Sequence, residues 1–316
     1  MNFIERGFDH QNQWWKYAII LIVGVFGGQL LGSIPLVIVM MVNAATSGGA
    51  MIFNPENMAD FTMLGISKNV GLLLMLLPSV VTLIITVWLI NVVHKRTFNE
   101  TVNGTNRLRF GRIRDGFGVW IVLMSIYSIG DYAINPENFV LQFDLTKFIL
   151  LLFISLLLIP LQTTCEEIIL RGYLTQGIAI FTRSRLLAII LPGIIFGLLH
   201  SSNPEVKEYG FALAMTQYIT FGLLFGLVSV LDDGIEIAIG MHAANNIFLS
   251  LFLTYKSSIF QTDAVFEQLN LNPIKDAVSL IVMGIIAFIY FAYKYKWNFG
   301  ILTKKIIIEQ ELNNQL

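Results

Sequence analysis

The chain is 316 residues long, 55% hydrophobic and only 13% charged, with a net charge of −1 and a mean hydropathy of +0.71. A soluble domain of this length carries roughly twice that charged fraction, so a soluble globular protein is excluded. The near-neutral charge, without a basic patch, offers no footprint for nucleic acid, and a single cysteine, Cys165, leaves no internal disulfide.

In chain order, the first segment, MNFIERGFDHQNQWWK, is polar and aromatic, and the apolar run after it is too long for a cleavable signal peptide. It is expected to stay as an anchor, with Trp14 and Trp15 at the membrane interface. Apolar runs between polar breaks predict eight spans, at about 17–43, 70–93, 117–134, 147–166, 187–203, 210–230, 236–254 and 277–293. The fold class is therefore all-α: a polytopic membrane protein of about eight helices, in contact with lipid.

Lysine and arginine set the expected orientation. Segment 94–116, HKRTFNETVNGTNRLRFGRIRDG, holds six of them and reads as a solvated basic loop on the cytoplasmic side. Arg183 and Arg185 lie between the fourth and fifth runs, and Lys294, Lys296, Lys304 and Lys305 follow the last. Eight spans with both termini inside place all of these together. Asn-Pro dipeptides at 54–55, 135–136, 203–204 and 272–273 fall on the opposite side as turns. The NPEN at 54–57 and again at 135–138 is shared turn chemistry, too short to be an internal repeat. No stretch between spans is long enough to bury a core of its own.

The informative stretch is TTCEEIILRG, 163–172, directly after the run LLLFISLLLIP. Adjacent helical positions point about 100° apart, so Glu166 and Glu167 have different surroundings. Arg171 is four residues after Glu167 on the same face, in the favourable order for an ion pair. Glu166 has no such cation, and an unpaired carboxylate in low dielectric demands a partner from elsewhere. Ionisable residues at membrane depth are functional candidates by default.

Two of the four histidines also fall in apolar runs: His200 in PGIIFGLLHSS, four residues after Phe196, and His242 in IAIGMHAANNIF, four before Asn246. Counting back from the turn near Arg183 puts Glu166 level with His200. His242 lies about 9 Å inside the seventh span at 1.5 Å per residue. If helix continues from 147 to 182 it is roughly 54 Å long, well beyond about 30 Å of hydrocarbon, and its end must tilt or project. Each motif alone has a structural reading: a helix salt bridge, a core histidine, an interhelical asparagine. The acidic neighbours of Cys165 disfavour a thiolate there. GIIFG (193–197) and GLLFG (222–226) read as close helix-packing patterns. The conjunction of Glu166, His200, His242 and Asn246 on three runs at matching depth is what points to chemistry.

At these residues the sequence resembles the CAAX-protease and bacteriocin-processing (CPBP, or Abi) family of intramembrane glutamate endopeptidases. EExxxR reads Glu166-Glu167-xxx-Arg171, FxxxH reads Phe196-xxx-His200, and HxxxN reads His242-xxx-Asn246, in that order. The resemblance implies a catalytic core at 145–255, preceded by membrane helices in 1–144 and followed by a last span and tail in 256–316. It implies that Glu166 activates water with His200 assisting, that His242 and Asn246 hold the oxyanion, and that Glu167, Arg171 and Phe196 support them. No cofactor is implied. The expected partner is a hydrophobic or lipid-modified peptide or protein, or another membrane protein. The expected setting is a bacterial cytoplasmic membrane, with the chamber open to the cytoplasm. Other readings of the same residues are a zinc metalloprotease, against which HExxH is absent, and a non-catalytic scaffold or immunity protein. A transporter would show inverted repeats or broken spans, and neither is evident.

Overall fold

The computed structural model describes residues 2–46, 61–105, 107–304 and 306. All eight predicted runs are helical. Among the described residues, six helices are long and apolar enough to cross a membrane: α1 (Trp14–Thr46), α2 (Lys68–His94), α4 (Phe110–Ile134), α5 (Leu145–Thr182), α8 (Phe211–Leu231) and α10 (Pro273–Tyr295). Short helices α3 (Phe98–Val102) and α7 (Pro204–Tyr209) connect them. The other two predicted spans are α6 (Arg185–Leu199) and α9 (Glu236–Phe252). At 1.5 Å per residue these measure about 22 and 25 Å, short of about 30 Å of hydrocarbon. Both lead into or carry the histidines.

Local signals set the helix starts. Ser67, Asp144, Ser184 and Asn272 cap α2, α5, α6 and α10 through their side chains, and Pro273 occupies the first turn of α10. The α5–α6 turn runs through Arg183 at φ +57°.

Helix α9 is the central post. Ile237, Ala238, Met241, Ala244 and Phe248 pack with Trp120 of α4, Phe225 of α8 and Leu280 of α10. On the other side, Ala243, Ile247 and Leu251 meet Leu72 and Leu76 of α2 and Leu151 and Ile154 of α5. A helix apolar on both sides belongs in an interior. At Gly240 a Cβ would stand 2.1 Å from the Ile113 carbonyl oxygen, so only glycine lets α4 and α9 approach this closely.

One end of the bundle gathers the basic segments, as expected. The Phe3 amide donates to Asp233 (2.5 Å), Arg185 pairs with Glu5 (2.8 Å) and donates to the Lys304 carbonyl (2.7 Å), and Trp297 donates to Asp232 (3.0 Å). The opposite end gathers the Asn-Pro turns at 135–136, 203–204 and 272–273; that at 54–55 lies outside the described residues. A small sheet closes this end, an addition to the expected helices. In it β3 (Phe266–Gln268) pairs antiparallel with β1 (Phe139–Leu141) and parallel with β2 (Leu253–Thr254).

The reading of 94–116 as a solvated loop needs correction. It contains α3 and the first turns of α4, and three of its five arginines, Arg96, Arg109 and Arg112, are tied down, while Arg107 and Arg114 stay exposed. Arg96 is fully buried and donates to Gln176 (2.8 Å) and Asn12 (3.2 Å). Arg109 donates to Glu236 (3.0 Å) and to the Asp232 carbonyl (2.7 Å), and Arg112 to the Asp232 carboxylate (2.9 Å). The acceptors lie 80 residues or more away, beyond any local reading of the charge pattern.

Candidate active site

Helix α5 continues unbroken past the apolar run to Thr182, so Glu166 and Glu167 sit inside a long helix rather than at its end. Just beyond them the backbone widens into π-helical turns over Ile168–Leu174. Such widening recurs at functional sites because it re-aims side chains within a helix. The Thr175 hydroxyl lies within hydrogen-bond distance of two carbonyls, Leu170 of its own helix (3.1 Å) and Ala188 of α6 (3.0 Å), and its one proton is shared between them.

The two glutamates have separate fates. Glu167 is fully buried, and its Oε1 accepts from Arg171 Nη1 at 2.9 Å and from His242 Nδ1 at 2.8 Å. Arg171, also fully buried, lies over the Phe196 and Phe225 rings, 4.5 and 5.4 Å from their centroids. It donates in addition to the Gly222 carbonyl of α8 (3.3 Å). The Glu166 side chain is 26% exposed; its Oε2 faces His242 Nε2 at 3.8 Å and has no hydrogen-bond partner among the described residues.

The expected lack of a partner for Glu166 within its own helix is corrected here. Gln162, one turn earlier, donates from Nε2 to Glu166 Oε1 at 2.5 Å. The Gln162 carbonyl in turn accepts from Asn246 Nδ2 at 3.2 Å. Four residues on, Asn246 shares the α9 face with His242 as expected, so one helix face supplies both. Because a carboxylate only accepts, His242 Nδ1 carries the proton and Nε2 is the atom turned toward Glu166.

His200 ends α6. Its Nδ1 donates to the Phe196 carbonyl (2.7 Å), and its ring stacks on Tyr218 of α8 at 4.5 Å between centroids. Of the two histidines expected at the depth of Glu166, the one whose ring nitrogen faces it at 3.8 Å is His242. Phe196 joins the two, with its ring centroid 4.4 Å from that of His200 and 5.8 Å from that of His242. Cys165 is a buried free thiol. Among the described residues, no three His, Cys, Asp or Glu side chains are grouped to hold a metal ion.

A family model described as type II CAAX prenyl endopeptidase, Rce1-like, matches residues 146–248. The uncharacterized protein YyaK of Bacillus subtilis (strain 168) is 31% identical over 291 residues, covering 90% of this chain and 94% of YyaK. This chain belongs to the CAAX-protease family of membrane endopeptidases. No solved structure matches it.

The CAAX-protease match spans every α5, α6, α8 and α9 residue of the hydrogen-bonded and ring-stacked set. Sequence reading missed several members, among them Gln162, Tyr218, Trp120, Asn245 and Phe225. Gln162 was accessible to the same four-residue rule that pairs Glu167 with Arg171. Tyr218 and Trp120 carry no local signal, since aromatic residues in apolar runs are ordinary core. Trp120 nonetheless donates its indole N–H to Asn245 at 3.3 Å.

Proposed function

We propose that this chain is a glutamate-type intramembrane endopeptidase acting on a membrane-associated substrate, a hydrophobic or lipid-modified peptide or protein. The observation that carries the reading is the division of labour between neighbours. Glu167 is fully buried and holds both Arg171 and His242 on one oxygen, whereas the Glu166 side chain is 26% exposed and carries no cation of its own helix. A general base must lie within reach of water, and of the two carboxylates only Glu166 is exposed.

In the proposed reaction Glu166 takes a proton from water as the water oxygen attacks the scissile carbonyl carbon. The carbonyl oxygen becomes an oxyanion, held by an N–H of Asn246 Nδ2 and by His242 Nε2, which donates in this step only as the imidazolium with protons on both nitrogens. Glu166 then returns the proton to the leaving nitrogen as the C–N bond breaks. Glu167 keeps His242 oriented, as a carboxylate behind a histidine does in other hydrolases. His200 assists through Nε2, since its Nδ1 is committed to the Phe196 carbonyl.

Two assays test this. Purified protein in lipid nanodiscs is given a quenched fluorescent peptide with a farnesylated CAAX tail. In parallel, membrane proteomes of cells with wild-type and Glu166→Ala protein are compared for an uncleaved precursor. Wild type cleaves or clears a substrate and Glu166→Gln does not. Full turnover by well-folded Glu166→Gln overturns the assignment. No difference between the strains, with no cleavage of the peptide, favours a scaffold role.

A further inference from the structure

Four hydrogen bonds run in one direction from α4 to the candidate base. Trp120 Nε1 donates to Asn245 Oδ1 (3.3 Å), Asn245 Nδ2 to Asn246 Oδ1 (3.1 Å), Asn246 Nδ2 to Gln162 Oε1 (3.2 Å), and Gln162 Nε2 to Glu166 Oε1 (2.5 Å). The two end groups dictate the direction. An indole N–H only donates, and an ionised carboxylate only accepts. Between them each of three amides must turn its oxygen toward Trp120 and its NH2 toward Glu166. Flipping any one sets two donors or two acceptors face to face, which is expensive in a low-dielectric interior. Trp120 is fully buried and Gln162 nearly so, while Asn245, Asn246 and Glu166 are half-buried.

We propose that Trp120, Asn245 and Gln162 are positioning residues: their one-way amide chain fixes which way the Asn246 amide faces and where the Glu166 carboxylate points. The proposal rests on the proteolytic reading of Glu166 and Asn246 and goes beyond it. Asn246 has two N–H bonds. The chain uses one toward Gln162 and thereby holds the other, not the carbonyl oxygen, toward the reacting group. Without the indole N–H at the far end, only the Glu166 end still enforces the order, and Asn245 and then Asn246 turn over at lower cost. A turned Asn246 presents an acceptor to an oxyanion and weakens the transition state while leaving substrate contacts intact.

The first test reads the chain without substrate. Full-length 15N-labelled protein in nanodiscs has five tryptophans, and the Trp120 indole N–H peak is identified by its loss in Trp120→Phe. Gln162→Met removes the link to Glu166 and is expected to move that peak. Ser155→Ala is the control, because it breaks a buried hydrogen bond between the same two helices, Ser155 to Ser250 (3.0 Å), outside the chain. An unmoved Trp120 peak in Gln162→Met, or an equal movement in both variants, overturns the proposal.

The second test is kinetic. Trp120→Phe and Gln162→Met are expected to lower kcat about tenfold, the effect of losing roughly one well-placed hydrogen bond. KM should stay within about twofold, as for an interaction made only in the transition state. Should Trp120→Phe fold poorly, Gln162→Met carries the test alone. Wild-type kcat in both variants, with Glu166→Gln inactive, removes the positioning role and leaves the proteolytic reading standing. Normal turnover by Glu166→Gln removes Glu166 as the base, and the Trp120 resonance then decides whether the chain exists.

Discussion

Adjacent carboxylates one peptide apart are often treated as interchangeable, and their surroundings here show why they are not. Glu167 closes a buried ion pair and orients a histidine, so Glu167→Ala strands Arg171 among Phe196 and Phe225. Removing one member of a fully buried pair costs about 3–5 kcal/mol. Glu167→Ala is therefore expected to lower Tm and abundance together with any activity. Glu166→Gln keeps shape and loses only the ionisable oxygen, so it should fold normally, bind substrate and fail to turn it over. A thermal melt beside a binding assay separates the two, and the opposite pattern exchanges their roles. The same residues predict indifference to metal. If Glu166 activates water directly, exhaustive dialysis against EDTA and phenanthroline leaves the rate unchanged, and purified protein carries well under one zinc per chain. Stoichiometric zinc with activity restored by adding it back would promote the metalloprotease reading.

Between helices, the decisive contacts are those where two backbones nearly touch. A Cβ on Gly222 would lie 2.3 Å from the Gly193 carbonyl oxygen, so α6 and α8 pack on bare glycine as their GxxxG patterns suggested. The same Gly222 offers its carbonyl to Arg171. Gly222→Val should therefore push α8 away and loosen Arg171, Glu167 and His242 in turn. Overpacking of this kind costs about 1–3 kcal/mol, and the activity loss should exceed that of Gly130→Val, where a Cβ meets nothing within 4 Å. Equal activity in the two variants would separate the helix contact from the site. This scale also marks how far the sequence could be read. Periodicity and i,i+4 spacing exposed every long helix, the Glu167–Arg171 pair, and His242 with Asn246 on one face, because each is local. The buried state of Arg96, the pairing of Arg109 with Glu236 and the choice of His242 as the neighbour of Glu166 were hidden. Each depends on partners 75 residues or more away in sequence. The shortness of α6 and α9 was hidden too, because a buried apolar helix and a spanning one share one composition until the caps are seen.

For the whole molecule, the arginines sort by end. Every arginine except Arg171 lies at or near the end that joins the N-terminal segment, the 94–116 stretch, the Arg183 turn and the tail, while Lys68, Lys147, Lys207, Lys256 and Lys275 lie toward the other. The positive-inside tendency leads us to predict that this end faces the cytoplasm. His242 is six residues into α9 from that end, about 9 Å along at 1.5 Å per residue, so on this prediction the proposed chamber opens to the cytoplasm. Arg107 and Asn270 are exposed at opposite ends, and Cys165 is buried, which makes single-cysteine labelling clean. In a Cys165→Ser background, Asn270→Cys protein should react with a membrane-impermeant maleimide in intact cells. Arg107→Cys protein should react only after the membrane is opened. Labelling of Arg107→Cys from outside, with Asn270→Cys protected, would invert the bundle and move the chamber to the outer face. Labelling of both from outside would mean an odd number of crossings between residues 107 and 270 is wrong, and that α6 and α9 do not complete the paths through the membrane that their neighbours require.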